Sequence, residues 1–139
     1  MPANSINRRN IQPAALHQRQ VNGLVLYSHV VAVEPKTLVF ISGQLARDAS
    51  GAIVGAGDMR AQLRQTLSNL KAALEAAGAT LADLVRTNTY VTDIDEYFKH
   101  VDIRMEFYRH AMPTSTTVEV RRLAQPQLMV EIDAIAALG

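Results

Sequence analysis

The sequence predicts an α+β domain in which two helices pack on one face of a β-sheet. Two segments have helical periodicity, several short segments have strand composition, and the order along the chain is β-β-(β)-α-β-α-β-β. The length of 139 residues suits one domain, because domains most often have about 100 to 150 residues. We therefore predict an irregular N-terminal arm over residues 1–20 and a single domain over residues 21–139.

The first half of the chain predicts strands followed by a long helix. Pro2 and Pro13, together with several Asn and Gln residues, favour the irregular arm. The apolar runs 28–33 and 38–42 flank a turn containing Pro35, which predicts a hairpin or two adjacent strands. A turn over 48–51 and a short returning strand over 52–54 follow.

The first helix is predicted from Asp58, a capping residue, to Gly78, which suits a left-handed C-cap. Its apolar seam has spacings of three and four residues and consists of Met59, Leu63, Leu67, Leu70, Leu74 and Ala77. Residues 80–83 resemble a capping box for a single turn, and alternating β-branched residues predict a strand over 85–91.

A second helix and two further strands are predicted in the last third of the chain. Asp93 or Asp95 caps the helix, which ends before Pro113. Its seam is Phe98, Val101, Met105 and Tyr108. The strands span 117–123 and 129–136.

Strands 28–33 and 38–42 are apolar on both faces, although two helices cover only one face of the sheet. A second copy of the chain would bury the other face, so we expect a homo-oligomer. The alternative is a sheet that curls upon itself.

Composition excludes several classes of protein. The 14 Lys and Arg residues balance 13 Asp and Glu residues, and they are spread along the chain, so nucleic acid is not an expected partner. Cysteine is absent, which excludes disulfides, a thiolate nucleophile and a Cys-based zinc site. No secretory signal or membrane span is recognisable, so we expect a cytoplasmic protein that does not bind membranes.

The sequence contains no strong local chemical motif. A glycine-rich phosphate loop, a nucleophile elbow and a metal-ligand spacing are all absent, so we expect neither a metal nor a cofactor. His17, His100 and His110 are isolated. His29, close to Tyr27, is either a partly buried, hydrogen-bonded histidine or part of a site.

Glu131 and Asp133 share one face of the otherwise apolar last strand. Carboxylates there are costly unless they are paired, hydrogen-bonded or used. One interpretation pairs them with Arg121 and Arg122 on the preceding strand, and the other is a carboxylate that orients water as general acid or base. Further candidates for contact with a ligand are Ser42, Gly43 and Asn88.

Together these segments resemble the Rid family of reactive-intermediate deaminases, also called YjgF-like proteins. The resemblance covers about four-fifths of the chain, over residues 27–29, 38–44, 58–78, 85–93, 117–120 and 130–135. It implies a chorismate-mutase-like subunit with a mixed sheet, and a homotrimer that binds a small metabolite in clefts between subunits. In deaminating members, an arginine binds the substrate carboxylate and a glutamate positions the water that hydrolyses an imine or enamine, without metal or cofactor.

The resemblance assigns family roles to several residues. Glu131 corresponds to the family's site glutamate and Tyr27 to its site tyrosine. Ser42 and Gly43 match the strand end that borders the cleft. Glu131 is therefore the catalytic candidate, and Tyr27, Ser42 and Gly43 are candidates for binding the substrate, as is Asn88.

The family's arginine occurs in the motif Pro-Ala-Arg-Ser, whereas this chain has Ser115 at that position, in Pro113-Thr-Ser-Thr. Serine offers one neutral donor where arginine offers a charged, bidentate fork. We therefore expect a substrate other than simple 2-aminoacrylate, and Arg121 is a candidate for a displaced positive charge.

The leading hypothesis is a Rid-type trimer in which Glu131 holds the water that hydrolyses an imine-like bond. The alternative is a noncatalytic binding or regulatory protein that keeps the cleft. Some family members are described as endoribonucleases, but the balanced charge and the lack of a basic, aromatic strip do not support RNA as a substrate.

Overall fold

A computed structural model describes residues 6–139, which contain one four-stranded sheet, two small two-stranded sheets and three α-helices. In chain order these elements are β1 (Asn7–Ile11), β2 (Gln20–Val21), β3 (Leu24–Val25), β4 (Val30–Glu34), β5 (Thr37–Leu45), α1 (Met59–Ala76), β6 (Leu84–Val91), α2 (Ile94–Phe98), α3 (Val101–Tyr108), β7 (Thr114–Glu119) and β8 (Val130–Leu138). A 3₁₀ turn over Leu81–Asp83 precedes β6.

The four-stranded sheet is mixed and has the strand order β5-β8-β6-β7. β8 pairs antiparallel with both β5 and β6, whereas β6 and β7 are parallel. Parallel neighbours need a crossover connection, and α2 and α3 supply it. The predicted mixed α+β architecture is therefore confirmed.

Helix α1 follows the sequence prediction closely. The Asp58 side chain accepts a hydrogen bond from the Ala61 amide at 3.0 Å, and Gly78 has a φ of +75° directly after the helix. The capping box between Thr80 and Asp83 is also present. The long apolar side chains of the predicted seam are buried: Met59, Leu63, Leu67, Leu70 and Leu74.

All three helices share one hydrophobic core with one face of the four-stranded sheet. The sheet contributes Val91, Ile132 and Ala136, among others, and α3 contributes Ile103 and Tyr108. The prediction that the helices pack on one face is confirmed. Among residues 6–139, no helix covers the opposite face of the sheet, which is called the open face below.

The N-terminal region differs from its prediction, because residues 7–11 form strand β1 instead of part of an irregular arm. β1 pairs antiparallel with β4, so β4 and β5 lie in different sheets and form no hairpin. The Asn10 side chain donates to Ser28 Oγ at 2.9 Å and to the Ala111 carbonyl at 2.8 Å. Contacts between segments distant in sequence thus hold β1 in place.

The predicted second helix is divided into α2 and α3, because His100 has non-helical angles of φ −117° and ψ 23°. The Asp93 side chain caps α2 by accepting from the Glu96 amide at 3.0 Å. The strand predicted over 52–54 is reduced to one bridge between Arg47 and Ile53.

Strand β7 starts three residues earlier than predicted and ends at Glu119. Its ladder with β6 runs from Arg86 opposite Thr114 to Val91 opposite Glu119. β6 ends at Val91, whose carbonyl accepts a last hydrogen bond from the Val120 amide at 2.7 Å, so residues 121–123 of the predicted strand lie beyond the ladder.

None of the helices within residues 6–139 combines the length and the apolar character needed to cross a membrane.

Candidate functional site

The open face carries both carboxylates of the last strand. Along β8, Glu131 and Asp133 are half-buried and alternate with the buried core residues Val130, Ile132 and Ala134. Successive side chains of a strand point to opposite faces, so both carboxylates lie on the side away from the helices. In the register with β6, Glu131 lies opposite Tyr90 and Asp133 opposite Asn88.

Glu131 lies against the backbone of Gly43, at an irregularity in the pairing of β5 with β8. A Cβ atom built on Gly43 would overlap Glu131 Oε2 and lie 2.7 Å from its Cδ. The φ of Gly43 is not in the left-handed region, so a larger residue here would meet the Glu131 side chain and would not be strained by its backbone conformation. The neighbouring Ser42 is exposed.

Asp133 belongs to a hydrogen-bond network on the same face. Asn88 Nδ2 donates to Asp133 Oδ1 at 2.8 Å, and Arg86 Nη2 donates to Asn88 Oδ1 at 2.9 Å. Arg86 Nη2 also donates to Thr116 Oγ1 at 2.7 Å. Arg86 was absent from the sequence candidates, although its period-two spacing with Asn88 and Tyr90 along β6 places all three on the open face.

Tyr90 lies opposite Glu131 in the sheet, and the charges of both carboxylates act on its hydroxyl. Asp133 raises the pKa of the Tyr90 hydroxyl most, and desolvation and Glu131 add to this effect, while Arg86 lowers that pKa. Tyr90 therefore remains a protonated hydrogen-bond donor at neutral pH.

The pairing of Glu131 and Asp133 with Arg121 and Arg122 does not occur within the described chain. Both arginines follow the end of β7 and line a separate depression together with Thr92. Within residues 6–139, the Glu131 carboxylate forms neither an ion pair nor a hydrogen bond.

Ser115 faces the opposite way from Glu131. It pairs with Thr87 in the β6–β7 ladder, and Thr87 Oγ1 donates to Ser115 Oγ at 3.2 Å. Thr87 is buried on the helix side of the sheet. Ser115 and Tyr27 line a cavity of about 120 Å³ whose wall also includes Phe98, Arg104 and Thr117.

Tyr27 and His29 pack edge to face with ring centroids 5.2 Å apart. The His29 Nε2 atom lies 2.9 Å from the carbonyl oxygen of His17, so His29 has a hydrogen-bond partner outside the cavity wall. This arrangement agrees with the hydrogen-bonded alternative for His29.

The predicted site residues thus separate into three groups within one chain. Gly43 and Glu131 are in contact on the open face, where Asn88 also lies, hydrogen-bonded to Asp133. Tyr27 and Ser115 line the cavity behind the sheet, and Arg121 lies in the depression after β7. Among residues 6–139, no three His, Cys, Asp or Glu side chains form a group that could hold a metal ion. The molecule is an α+β protein with a carboxylate cluster on an open sheet face and an arginine-lined cavity on the other side.

Comparisons with known proteins agree with this description. The family model described as Endoribonuclease L-PSP matches residues 18–138. The crystal structure of YyfB from Yersinia pestis, titled as a protein of the conserved Rid protein family, has a TM-score of 0.82 and 38% identity, covering 95% of this chain and 99% of that chain. The chain therefore belongs to the Rid family, also described as the YjgF or L-PSP family.

Two curated relatives extend the comparison. A RutC family protein from Pyrococcus horikoshii is 35% identical over 105 residues, which are 76% of this chain and 82% of the relative. The 2-iminobutanoate/2-iminopropanoate deaminase of Salmonella typhimurium is 38% identical over 112 residues, which are 78% of this chain and 85% of the relative.

Proposed function

We propose that this protein hydrolyses the imine or enamine of a small carboxylic acid, with Glu131 positioning the attacking water. The observation that carries the proposal is the half-buried Glu131 carboxylate, which has no cation or hydrogen-bond donor among residues 6–139 and lies against the bare backbone of Gly43. A carboxylate in that setting is available to a water molecule. The relative from Salmonella typhimurium, named as an iminobutanoate and iminopropanoate deaminase, supports the same class of reaction.

The reaction needs only water and proton transfers. The water oxygen bonds to the imine carbon while Glu131 accepts one water proton. The imine nitrogen takes up a proton as its double bond to carbon becomes single, which gives a carbinolamine. The hydroxyl of the carbinolamine then loses its proton as the carbon–oxygen double bond forms, and the nitrogen, protonated a second time, leaves as ammonia. Imine and water thus give a ketone and ammonia, and an enamine reacts after it takes up a proton at carbon and loses one from nitrogen. The second N–H of the Asn88 amide is a neighbouring hydrogen-bond donor for the reacting centre, whereas its first N–H and the Tyr90 hydroxyl are directed at Asp133.

We further propose that the site lies between two subunits of a homotrimer. Within one chain, Glu131 and the cavity with Tyr27 and Ser115 are on opposite sides of the sheet, so a single chain does not bring them together. Phe40 is 71% exposed and Leu38 49% exposed on the open face. Contact with another chain would bury both side chains and would bring the Glu131 of one subunit toward the cavity of the next.

A second candidate function is noncatalytic binding of a small metabolite by the same trimer. The specific observation in its favour is Ser115, which replaces the arginine of the family motif. In this alternative the cavity retains a ligand, whereas Glu131 has no effect on its chemistry.

The test is the rate of 2-oxobutanoate formation from enzymatically generated 2-iminobutanoate, compared with the uncatalysed rate. We expect the wild-type protein to accelerate hydrolysis and Glu131→Gln to lower this acceleration by about 10²- to 10⁴-fold, the usual contribution of a general base. Glu106→Gln is the matched control, because it removes the same charge from the exposed pair with Arg64 on the helical surface. It should leave the rate unchanged.

Two results would contradict the proposal that the protein hydrolyses imines. One is a wild-type rate equal to the uncatalysed rate for the imines of several amino acids. The other is a Glu131→Gln protein that keeps full activity. Either result would favour the noncatalytic binding protein.

A further inference from the structure

Arg104 is a buried arginine without an anionic partner. It lies on α3 with 2% of its surface exposed, and within residues 6–139 it forms no ion pair. Its three hydrogen bonds go to neutral oxygens: to Tyr97 Oη at 3.1 Å, to Thr117 Oγ1 at 3.4 Å and to the Leu26 carbonyl at 2.9 Å. A buried charge is costly without an opposite charge, so the surroundings of Arg104 favour an anion.

The guanidinium retains donors for such an anion. It has five N–H groups in a rigid plane, and the bonds from Nη1 and Nη2 use three of them. The Nε atom is buried and has no partner among the described residues. Nε and Nη2 are neighbours on one edge of the guanidinium, and this is the edge that binds a carboxylate through two parallel hydrogen bonds.

The cavity beside Arg104 has the size and polarity for a small organic anion. Its volume is about 120 Å³, which is space for about four water-sized groups. The hydroxyl-bearing residues Ser115 and Thr117 lie on one wall, and Leu26 and Phe98 provide apolar surface. A second cation, Arg19, stacks on Phe98 with its Cζ 4.7 Å from the ring centroid, and it also lines this cavity.

We propose that this cavity binds the carboxylate of a small organic acid, with Arg104 as the residue that recognises its charge. That the bound acid is a substrate or product of the protein rests on the proposed function. Within that function, Arg104 is the residue that binds the carboxylate. Arg104 then supplies from α3 the positive charge that position 115 lacks, and the Ser115 hydroxyl is a neutral donor beside it. Arg104 is the one buried cation among the residues that line the cavity, whereas Arg19 is exposed, and a single buried charge suits a monoanion better than a dianionic phosphate.

The first test uses only the wild-type protein and measures equilibrium binding by calorimetry. The probe is 2-oxobutanoate, and the comparisons are its neutral amide, 2-oxobutanamide, and inorganic phosphate. We expect the carboxylate to bind at least about tenfold more tightly than the amide, because a charge-assisted hydrogen bond contributes more than a neutral one. It should also bind more tightly than phosphate, because Leu26 and Phe98 offer apolar surface to its alkyl chain. The carboxylate should also shift the ring NMR resonances of Tyr27 and Phe98.

The second test uses variants of the cavity wall. Arg104→Met should weaken 2-oxobutanoate binding about 10- to 100-fold, and Arg104→Lys should recover part of that loss, because it keeps the charge and loses the bidentate geometry. Ser115→Ala should weaken binding by less than about tenfold, as expected for one neutral donor. Arg60→Met is the matched control, since Arg60 forms an exposed pair with Asp102 on the outer helical surface.

Equal affinity for 2-oxobutanoate and its amide, tighter binding of phosphate, or absent shifts at Tyr27 and Phe98 would each overturn the proposal. These three results come from the wild-type protein, so the proposal can be tested even if the Arg104→Met protein does not fold. Carboxylate binding that depends on Arg104 in a protein without imine hydrolysis would keep this proposal and overturn the proposed function. Hydrolysis that requires Glu131 but is unchanged in a folded Arg104→Met protein would keep the proposed function and overturn the role of Arg104.

Discussion

The carboxylate of Glu131 occupies the space in which any side chain at position 43 would lie. A Cβ on Gly43 would overlap Oε2 of Glu131 and would come within 3.0 Å of its Cγ. The glycine on β5 and the glutamate on β8 therefore depend on each other. The proposed water site requires a small residue at position 43 as well as an acid at position 131.

This dependence predicts that Gly43→Ala is costly only while Glu131 is present. The half-exposed Glu131 side chain must change its rotamer to admit the methyl group, which should cost about 0.5 to 1.5 kcal/mol. This cost should largely disappear in the Glu131→Ala background. The measurement is the free energy of unfolding in urea for the wild type, both single variants and the double variant, at one protein concentration. If the changes in the free energy of unfolding from the two substitutions were additive, the cost of Gly43→Ala would not come from the overlap with Glu131.

The exposed Phe40 predicts that the assembly depends on the open face. Phe40→Asp should convert a particle of three times the 15.2 kDa chain mass into single chains, because a carboxylate would be buried without a partner. Light scattering measures the mass. Leu16→Asp is the control, since Leu16 is 49% exposed outside the four-stranded sheet. A trimer that survives Phe40→Asp would place the interface elsewhere, and a wild-type single chain would contradict the assembly.

Leu70 is fully buried on the core side of α1, so Leu70→Ala should destabilise the fold. The expected loss in the free energy of unfolding is about 2 to 5 kcal/mol, from lost burial and from the cavity left behind. Ser68→Ala on the exposed side of the same helix should change it by less than about 0.5 kcal/mol. Equal urea midpoints for the two variants would disprove the assignment of this helix face.

Tyr108 predicts a loss of stability at alkaline pH. Burial raises the pKa of its hydroxyl above the usual 10.0, so the unfolded chain ionises first as the pH rises. The contribution is fully present below pH 10.0 and is lost above it, by up to about 1.4 kcal/mol per pH unit, until the pH reaches the folded-state pKa. Unfolding of wild type and Tyr108→Phe at pH 8, 10 and 11 should give a shallower decline for the variant. Parallel declines would contradict this assignment.

Local sequence signals predicted the elements whose causes are local. Asp58 caps α1 through an amide three residues away, and the capping box joins Thr80 and Asp83. The alternation along β8 placed Glu131 and Asp133 on one face before any pairing was known. These features depend on interactions within a few residues, and the amino-acid order alone therefore determines them.

Only the tertiary structure decided which segments meet. β4 pairs with β1 instead of β5, and Arg104 binds the carbonyl of Leu26, which is 78 positions away. In the sequence of α3 alone, nothing distinguishes Arg104 from an arginine on the protein surface. In the folded chain Arg104 is buried beside Ser115 and has no acidic partner among the described residues, so it is a candidate anion-binding residue. This environment results from the crossover that packs α3 behind β7. Such contacts depend on the whole chain, because no short-range preference specifies the partner of a buried charge.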